Sequence, residues 1–172
     1  LEFLLLRVGF SKVVITAPND ATLVAKAVKS MDKGERQIAA DLEQIRPDHR
    51  ARYYFSAEHV KDGDKILDFA CGIGYGSKII INKTKNVEIT ACDIDENALE
   101  YGNTFYSSKN IFYQSNNANQ PTLKENSYNL AVSFETIEHL ENPQRFIEAL
   151  YKSLKNNGKL ICSVPNEEKM PF

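Results

Sequence analysis

The chain has 172 residues, of which 42% are hydrophobic and 26% charged, and its formal net charge is −2. This composition is typical of one globular domain with a hydrophobic core, and it argues against a disordered chain or a broad nucleic-acid-binding face. No apolar run is long enough to span a bilayer. The three cysteines lack C-x-x-C spacing and no secretory signal is visible, so we expect reduced thiols, no zinc site and a cytoplasmic location.

The first part of the chain, residues 1–47, is interpreted as a separate N-terminal segment. Helices are predicted over residues 21–31 and 36–45, and Pro47 is expected to break the second of them. Residues 48–59 are predicted to form a further helix, followed by a turn at residues 61–64. We therefore expect the core domain to comprise residues 48–172.

From residue 65 onward, short apolar runs alternate with segments of helical periodicity. Strands are predicted at residues 65–70, 87–92, 111–114, 128–134 and 159–164. Helices are predicted at residues 75–82, 96–107 and 143–154. This alternation predicts a Rossmann-like, doubly wound α/β fold with a mostly parallel sheet.

A glycine-rich loop, D-F-A-C-G-I-G-Y-G-S, begins at Asp68 at the end of the first predicted strand. Gly72, Gly74 and Gly76 allow a sharp turn and a close approach of the backbone to a ligand. A carboxylate before the glycines would repel a pyrophosphate but would favour a cofactor that carries an ammonium and a sulfonium group. The spacing G-x-G-x-G also differs from the dinucleotide fingerprint G-x-G-x-x-G. Both features favour S-adenosylmethionine over a dinucleotide.

A second carboxylate, Asp93, follows the second predicted strand. A carboxylate at this position can accept both hydroxyls of a ribose, and Ile94 beside it is placed to pack on an adenine. The alternative is that Asp93 caps the following helix, a role for which Asp95 competes.

Four segments within residues 66–166 resemble the class I S-adenosylmethionine-dependent methyltransferases with a type 11 or type 12 methyltransferase domain. They are ILDFACGIGYGS, ITACDIDENALEYG, NSYNLAVSFETIEHLENP and LKNNGKLICSVPN. The resemblance implies that residues 72–76 hold the methionine moiety, that Asp68 lies near its ammonium group and that Asp93 binds the ribose. Asn117 stands where many relatives have an aspartate that contacts the adenine amino group, and its side-chain oxygen can still accept that bond. The remaining cofactor-binding residues implied by the resemblance are Tyr53, Ala70, Cys71, Gly72, Gly74, Ile94, Ala118 and Phe134.

The segment F-E-T-I-E-H-L at residues 134–140 follows the fourth predicted strand. If it forms a helical turn, Glu135, Glu138 and His139 share one face and suit Mg²⁺ or Mn²⁺. The motif resembles the metal site of small-RNA terminal 2′-O-methyltransferases and ubiquinone-pathway O-methyltransferases. A simpler hypothesis makes His139 the general base, with Glu135 beside it, although local capping or packing of His139 remains open. His49 and His59 show no partner pattern and are interpreted as surface or helix residues.

These features predict methyl transfer to a small-molecule, saccharide or lipid-linked acceptor, at oxygen. The alternatives are a metal-assisted RNA 2′-O-methyltransferase, which the acidic charge opposes, and a binding module without turnover. The family fold continues beyond the fifth strand, so we expect the sheet to be incomplete at its C-terminal end. Residues 3–10 and 12–16 resemble the last helix and the sixth strand of such a domain. They are a remnant of a preceding domain, a permuted sheet element or a coincidence.

Overall fold

The computed structural model describes residues 10–19, 22–29 and 38–164. The strands are β1 (Phe10–Asn19), β2 (Thr22–Lys29), β3 (Lys65–Phe69), β4 (Glu88–Asp93), β5 (Ile111–Ser115), β6 (Tyr128–Phe134) and β7 (Leu154–Ser163). The helices are α1 (Pro47–Ala57), α2 (Tyr75–Lys83), α3 (Glu96–Phe105) and α4 (Pro143–Ser153), with short 3-10 turns at Leu42–Gln44 and Ile137–His139. Within the described ranges, no helix has the length and apolar character needed to cross a membrane.

Strands β3 to β7 form one parallel sheet in the order β5-β4-β3-β6-β7. Successive residues of the central strand face opposite sides: Ile66 packs in a cluster with Ile79 and Ile80 of α2, whereas Leu67 packs in a cluster with the α4 residues Phe146 and Leu150. Helices therefore cover both faces of the sheet. The predicted doubly wound α/β fold is confirmed.

The strand order reverses at β3, because the chain moves from β3 to β4 on one side and later to β6 on the other. Connections that leave in opposite directions open a crevice at the carboxyl ends of these strands, which is where open α/β sheets bind ligands. The glycine-rich loop follows β3, Asp93 ends β4 and Glu135 follows β6. The fold thus brings three separate sequence motifs to one edge of the sheet.

The predictions for the N-terminal segment are largely wrong. Residues 22–29 form strand β2, which pairs antiparallel with β1, instead of the predicted helix. The helix expected over residues 36–45 is replaced, within the described residues 38–45, by a loop with a single 3-10 turn. Pro47 begins α1 rather than ending a helix, since its fixed φ and missing N–H suit a first helical turn.

The suggested sixth strand at residues 12–16 lies inside β1. Its described partner is β2, in a two-stranded sheet of its own, so the structure does not place it in the parallel sheet. Residues 3–9 of the suggested helix lie outside the described residues, and Phe10 begins β1. The division of the chain at residue 47 stays a prediction.

Candidate cofactor site

A cavity of about 380 Å³ lies at the carboxyl ends of β3, β4 and β6, beside helix α1. This volume falls within the range of small-molecule and cofactor clefts. Its wall contains nine of the eleven predicted cofactor-binding residues: Tyr53, Ala70, Cys71, Gly72, Asp93, Ile94, Asn117, Ala118 and Phe134. The other two, Asp68 and Gly74, are not among the residues that line the cavity.

The loop after β3 turns through left-handed backbone conformations at Ala70 (φ 62°), Gly72 (φ 56°) and Gly74 (φ 77°). A Cβ added at Gly72 would meet no atom within 4 Å, so this glycine leaves open space at the cavity wall. A Cβ at Gly74 would instead overlap the ring of Tyr113, where the backbone begins α2. Gly74 therefore serves the packing of the loop, and Gly72 is the glycine that a ligand can approach.

Asp93 connects β4 to this loop. The Gly72 N–H donates to its Oδ2 at 2.8 Å, and the Asp95 N–H donates to its Oδ1 at 3.0 Å. The capping alternative is settled by Asp95, whose side chain accepts the N–H groups of Asn97 and Ala98 at the start of α3. A carboxylate has about four acceptor positions, so Asp93 can bind the glycine loop and still accept hydroxyl hydrogens from the cavity.

The β4 and β5 side of the cavity offers an apolar surface beside an amide. Ile94 is 60% exposed although it is a large aliphatic residue, and it lines the cavity together with Ala118. The Asn117 side-chain oxygen accepts the Asn119 N–H at 2.9 Å, which fixes its orientation. This arrangement suits a flat heterocycle with exocyclic donors.

Asp68 is fully buried beneath the glycine loop rather than in the cavity wall. Its carboxylate accepts hydrogen bonds from the Ser77 hydroxyl at 2.7 Å and from the Tyr53 hydroxyl at 3.2 Å. Burial raises the pKa of Asp68 to about 7, although both hydrogen bonds act in the opposite direction. Near neutral pH this group can therefore gain or lose its charge in response to a neighbouring cation.

Tyr53 joins α1 to the site. Its ring lies 4.9 Å from that of Phe134 in an edge-to-face arrangement, and a Cβ at Gly76 would overlap it. The tyrosine is 4% exposed and contributes to the cavity wall. The third glycine of the motif is thus required for helix α1 to pack against the loop.

The predicted metal-binding turn does not form as expected. Glu135 adopts a left-handed conformation (φ 51°) directly after β6, and only Ile137–His139 form a 3-10 turn, so Glu135, Glu138 and His139 do not share a helical face. Glu138 is exposed and lies outside the cavity wall, whereas Glu135 and His139 belong to it. In the part of the chain that the structure describes, no three His, Cys, Asp or Glu side chains are grouped to hold a metal ion.

Glu135 is held in place by three contacts with two residues. Its Oε1 accepts the Ser163 hydroxyl at 2.6 Å and lies 3.5 Å from Nη2 of Arg52, and its own N–H donates to the Ser163 carbonyl at 3.1 Å. The Arg52 and Glu135 side chains are each 26% exposed. A partly exposed ion pair therefore stands at the β6 side of the cavity.

His49 also lines the cavity, although the sequence interpretation left it as a surface or helix residue. Its Nδ1 lies 3.4 Å from the Tyr75 hydroxyl. Burial and then the neighbouring Arg52 lower the pKa of His49 from its usual 6.5. The available signal was the spacing of His49, Arg52 and Tyr53, which places all three on one face of α1.

Comparison with known proteins identifies the family. Residues 67–162 match the family model described as "Methyltransferase domain". The chain is 33% identical over 101 residues to a Mycobacterium tuberculosis protein named "Probable S-adenosylmethionine-dependent methyltransferase". The matched region covers 59% of this chain and 35% of that protein. The chain is also 34% identical over 120 residues to the ubiquinone biosynthesis O-methyltransferase of Rickettsia typhi. That match covers 66% of this chain and 47% of the Rickettsia protein.

A solved structure supports the same fold. The phosphoethanolamine N-methyltransferase 2 of Haemonchus contortus, crystallised with S-adenosylhomocysteine, superimposes with a TM-score of 0.61 at 19% identity, covering 69% of this chain and 28% of that one. The chain thus belongs to the methyltransferase domain family, and the predicted class I fold and S-adenosylmethionine cofactor of that family are confirmed. The chain spans between a third and a half of the length of the two curated relatives.

Proposed function

We propose that this domain binds S-adenosylmethionine and transfers its methyl group to an oxygen of a small-molecule, saccharide or lipid-linked acceptor. The observation that carries the proposal is the junction of Asp93 with Gly72, where a carboxylate that ends one strand accepts an N–H of the glycine loop that follows the neighbouring strand. At this junction the cavity presents a carboxylate acceptor, which suits ribose hydroxyls and opposes a diphosphate.

The cavity residues divide between the two halves of the cofactor. Asp93 accepts the ribose hydroxyls, Ile94 and Ala118 pack on the adenine, and Asn117 accepts from its exocyclic amine. The open face of Gly72 takes the methionine moiety. Asp68 lies beneath the glycine loop and does not contact the cofactor. Its negative charge favours the binding of the cofactor's ammonium group.

Methyl transfer needs few protein groups. The cofactor supplies an electrophilic methyl on a sulfonium, whose neutral thioether leaves readily. The protein's main contribution is therefore to align the acceptor with the carbon–sulfur bond. The O-methyltransferase name of the Rickettsia typhi relative supports oxygen as the accepting atom.

Calorimetry with S-adenosylhomocysteine tests cofactor binding. Asp93→Ala removes two charge-assisted hydrogen bonds to the ribose, each worth about 1.5–3 kcal/mol, so we expect the Kd to rise by about a hundredfold or more. Asp95→Ala is the matched control, because it removes a carboxylate two residues away that caps α3 and lies outside the cavity wall. Equal affinities of the two variants would reject the ribose assignment.

A survey of acceptors tests the transfer. Purified protein is incubated with methyl-labelled S-adenosylmethionine and panels of hydroxylated small molecules, saccharides, polyprenyl-linked sugars, amines and RNA, with and without Mg²⁺. Label in an acid-stable ether or an ester supports the proposal. Mg²⁺-dependent label at the RNA 2′ position would favour the alternative enzyme, and cofactor binding without transfer would favour a binding module.

A further inference from the structure

One wall of the cavity carries polar groups that the cofactor assignment leaves unused. We call it the α1 wall; it consists of His49 and Arg52 of α1, Tyr75 at the start of α2 and Glu135 after β6. These four residues come from three separate elements. The fold therefore assembles them at one side of the cavity, independently of the Asp93 junction.

The position of the α1 wall fixes which part of the cofactor it faces. Asp93 and Asn117 lie at the ends of β4 and β5, whereas Glu135 follows β6 on the other side of β3. A cofactor with its ribose on Asp93 and its methionine on Gly72 therefore extends from the β4 side toward β6. Its methyl-bearing centre then points to the side where the α1 wall stands.

Within this wall, His49 is placed to present one ring nitrogen to a ligand. Glu135 is engaged by Arg52 and Ser163. The Nδ1 of His49 lies 3.4 Å from the Tyr75 hydroxyl; in the tautomer in which Nδ1–H donates to that hydroxyl, Nε2 is unprotonated and can accept a proton. Nε2 also lies 3.9 Å from Oδ2 of Asp48, too far for a hydrogen bond but close enough to stabilise an imidazolium.

We propose that the α1 wall is the subsite for an acceptor hydroxyl and that His49 takes its proton, an inference that rests on the proposed function. The acceptor oxygen forms a bond to the methyl carbon while the carbon–sulfur bond breaks and its electron pair stays on sulfur. The hydroxyl proton moves to Nε2 of His49. The products are a methylated oxygen, S-adenosylhomocysteine and an imidazolium, which returns its proton to water.

Charged groups from three directions set the protonation of His49. Its own helix contributes Asp48, which favours the imidazolium, and Arg46 and Arg52, which oppose it; Glu135 favours it from the end of β6. Tyr75 of α2 offers a neutral hydroxyl. Burial and Arg52 outweigh the carboxylates, so the pKa lies below 6.5 and the imidazole is neutral at pH 8.

Sinefungin, an analogue with a charged amine in place of the methyl-sulfonium centre, tests the placement without a known acceptor. We measure the Kd ratio of S-adenosylhomocysteine to sinefungin by calorimetry at pH 5 and pH 8. Protonated His49 repels the amine and so weakens the binding of sinefungin at pH 5. We therefore expect the Kd of S-adenosylhomocysteine divided by the Kd of sinefungin to rise by about tenfold from pH 5 to pH 8 in the wild type. All variants are made in an Asp68→Asn background, because the pKa of Asp68, about 7, lies between the two pH values. In that background the rise should persist in His139→Gln and His59→Gln and disappear in His49→Gln.

In the Asp68→Asn background, a pH-dependent ratio that survives in His49→Gln, or that is lost only in His139→Gln, overturns the proposal. Should His49→Gln not fold, histidine-labelled wild type gives the same answer by NMR, because the chain has only three histidines and the other two resonances are assigned from their variants. Sinefungin, but not S-adenosylhomocysteine, should then lower the pKa of His49; equal effects overturn the placement. Failure of both ligands to bind the wild type rejects the proposed function instead.

Discussion

Replacing Asp68 with asparagine should make the protein more stable at alkaline pH and a poorer binder of its cofactor. The carboxyl is fully buried, and its pKa is about 7 in the fold against an ordinary 3.8. A pKa raised by folding means that the group's contribution to stability is complete below pH 3.8 and is lost as the pH rises through 7. The amide introduced by Asp68→Asn cannot ionise and so does not incur this loss.

The difference between 3.8 and about 7, at 1.36 kcal/mol per pH unit, corresponds to up to about 4 kcal/mol. The amide matches the protonated acid in shape, and the Ser77 hydroxyl can rotate to accept from it while Tyr53 continues to donate. We therefore expect the free energy of unfolding of Asp68→Asn to exceed that of the wild type by an amount that grows from near zero at pH 4 to a few kcal/mol at pH 8. Urea denaturation across this pH range measures it.

The matched control is Asp64→Asn, which makes the same change at an exposed carboxylate that accepts the Lys61 N–H, outside the buried network of Asp68. Cofactor binding gives the second half of the prediction. A cation above the loop should draw a proton from Asp68 at pH 7, so calorimetry in buffers of different ionisation enthalpy should detect proton release that Asp68→Asn lacks. A variant that is less stable than the wild type at pH 8 would refute the reasoning.

Three further predictions concern the loop and the residues that contact it. Gly74→Ala should lower the free energy of unfolding by more than the roughly 1–2 kcal/mol of a left-handed alanine, and Tyr113→Ala should recover part of it in a double-mutant cycle. Ala70→Gly should raise the free energy of unfolding by about 1 kcal/mol in urea, because Ala70 is already left-handed; no change would mean that the conformation is unstrained. Tyr53→Phe removes a hydrogen bond to Asp68, so it should cost about 1 kcal/mol, with a larger loss at pH 8 than at pH 5 because the bond favours the ionised form.

The α/β core could be predicted because its signals are local. Buried strands such as β3 and β6 are short apolar runs, and α4 has a clear helical period, so both element types follow from pattern alone. The cofactor loop was recognisable because positive φ angles at Gly72 and Gly74 need glycine. These features require no knowledge of distant contacts.

The errors arise where contacts with another segment of the chain decide the structure. Residues 22–29 (TLVAKAVK) contain alanine and lysine, which favour a helix, yet pairing with β1 makes them a strand. Glu135 was assigned to a helical turn, but it lies in a left-handed bend directly after β6, where its hydrogen bonds with Ser163 hold it. His49 was missed because its partner Tyr75 is 26 residues away in the chain.

Backbone strain links the two halves of the proposed site. Five non-glycine residues among those described have positive φ angles, and three of them are asparagines, which tolerate this conformation. The other two are Ala70 and Glu135, which directly follow the neighbouring strands β3 and β6, and both line the cavity. Strain of this kind persists where the surrounding structure determines the conformation, and it concentrates at binding sites. Its presence at both strand ends supports a rigid junction between the cofactor loop and the α1 wall.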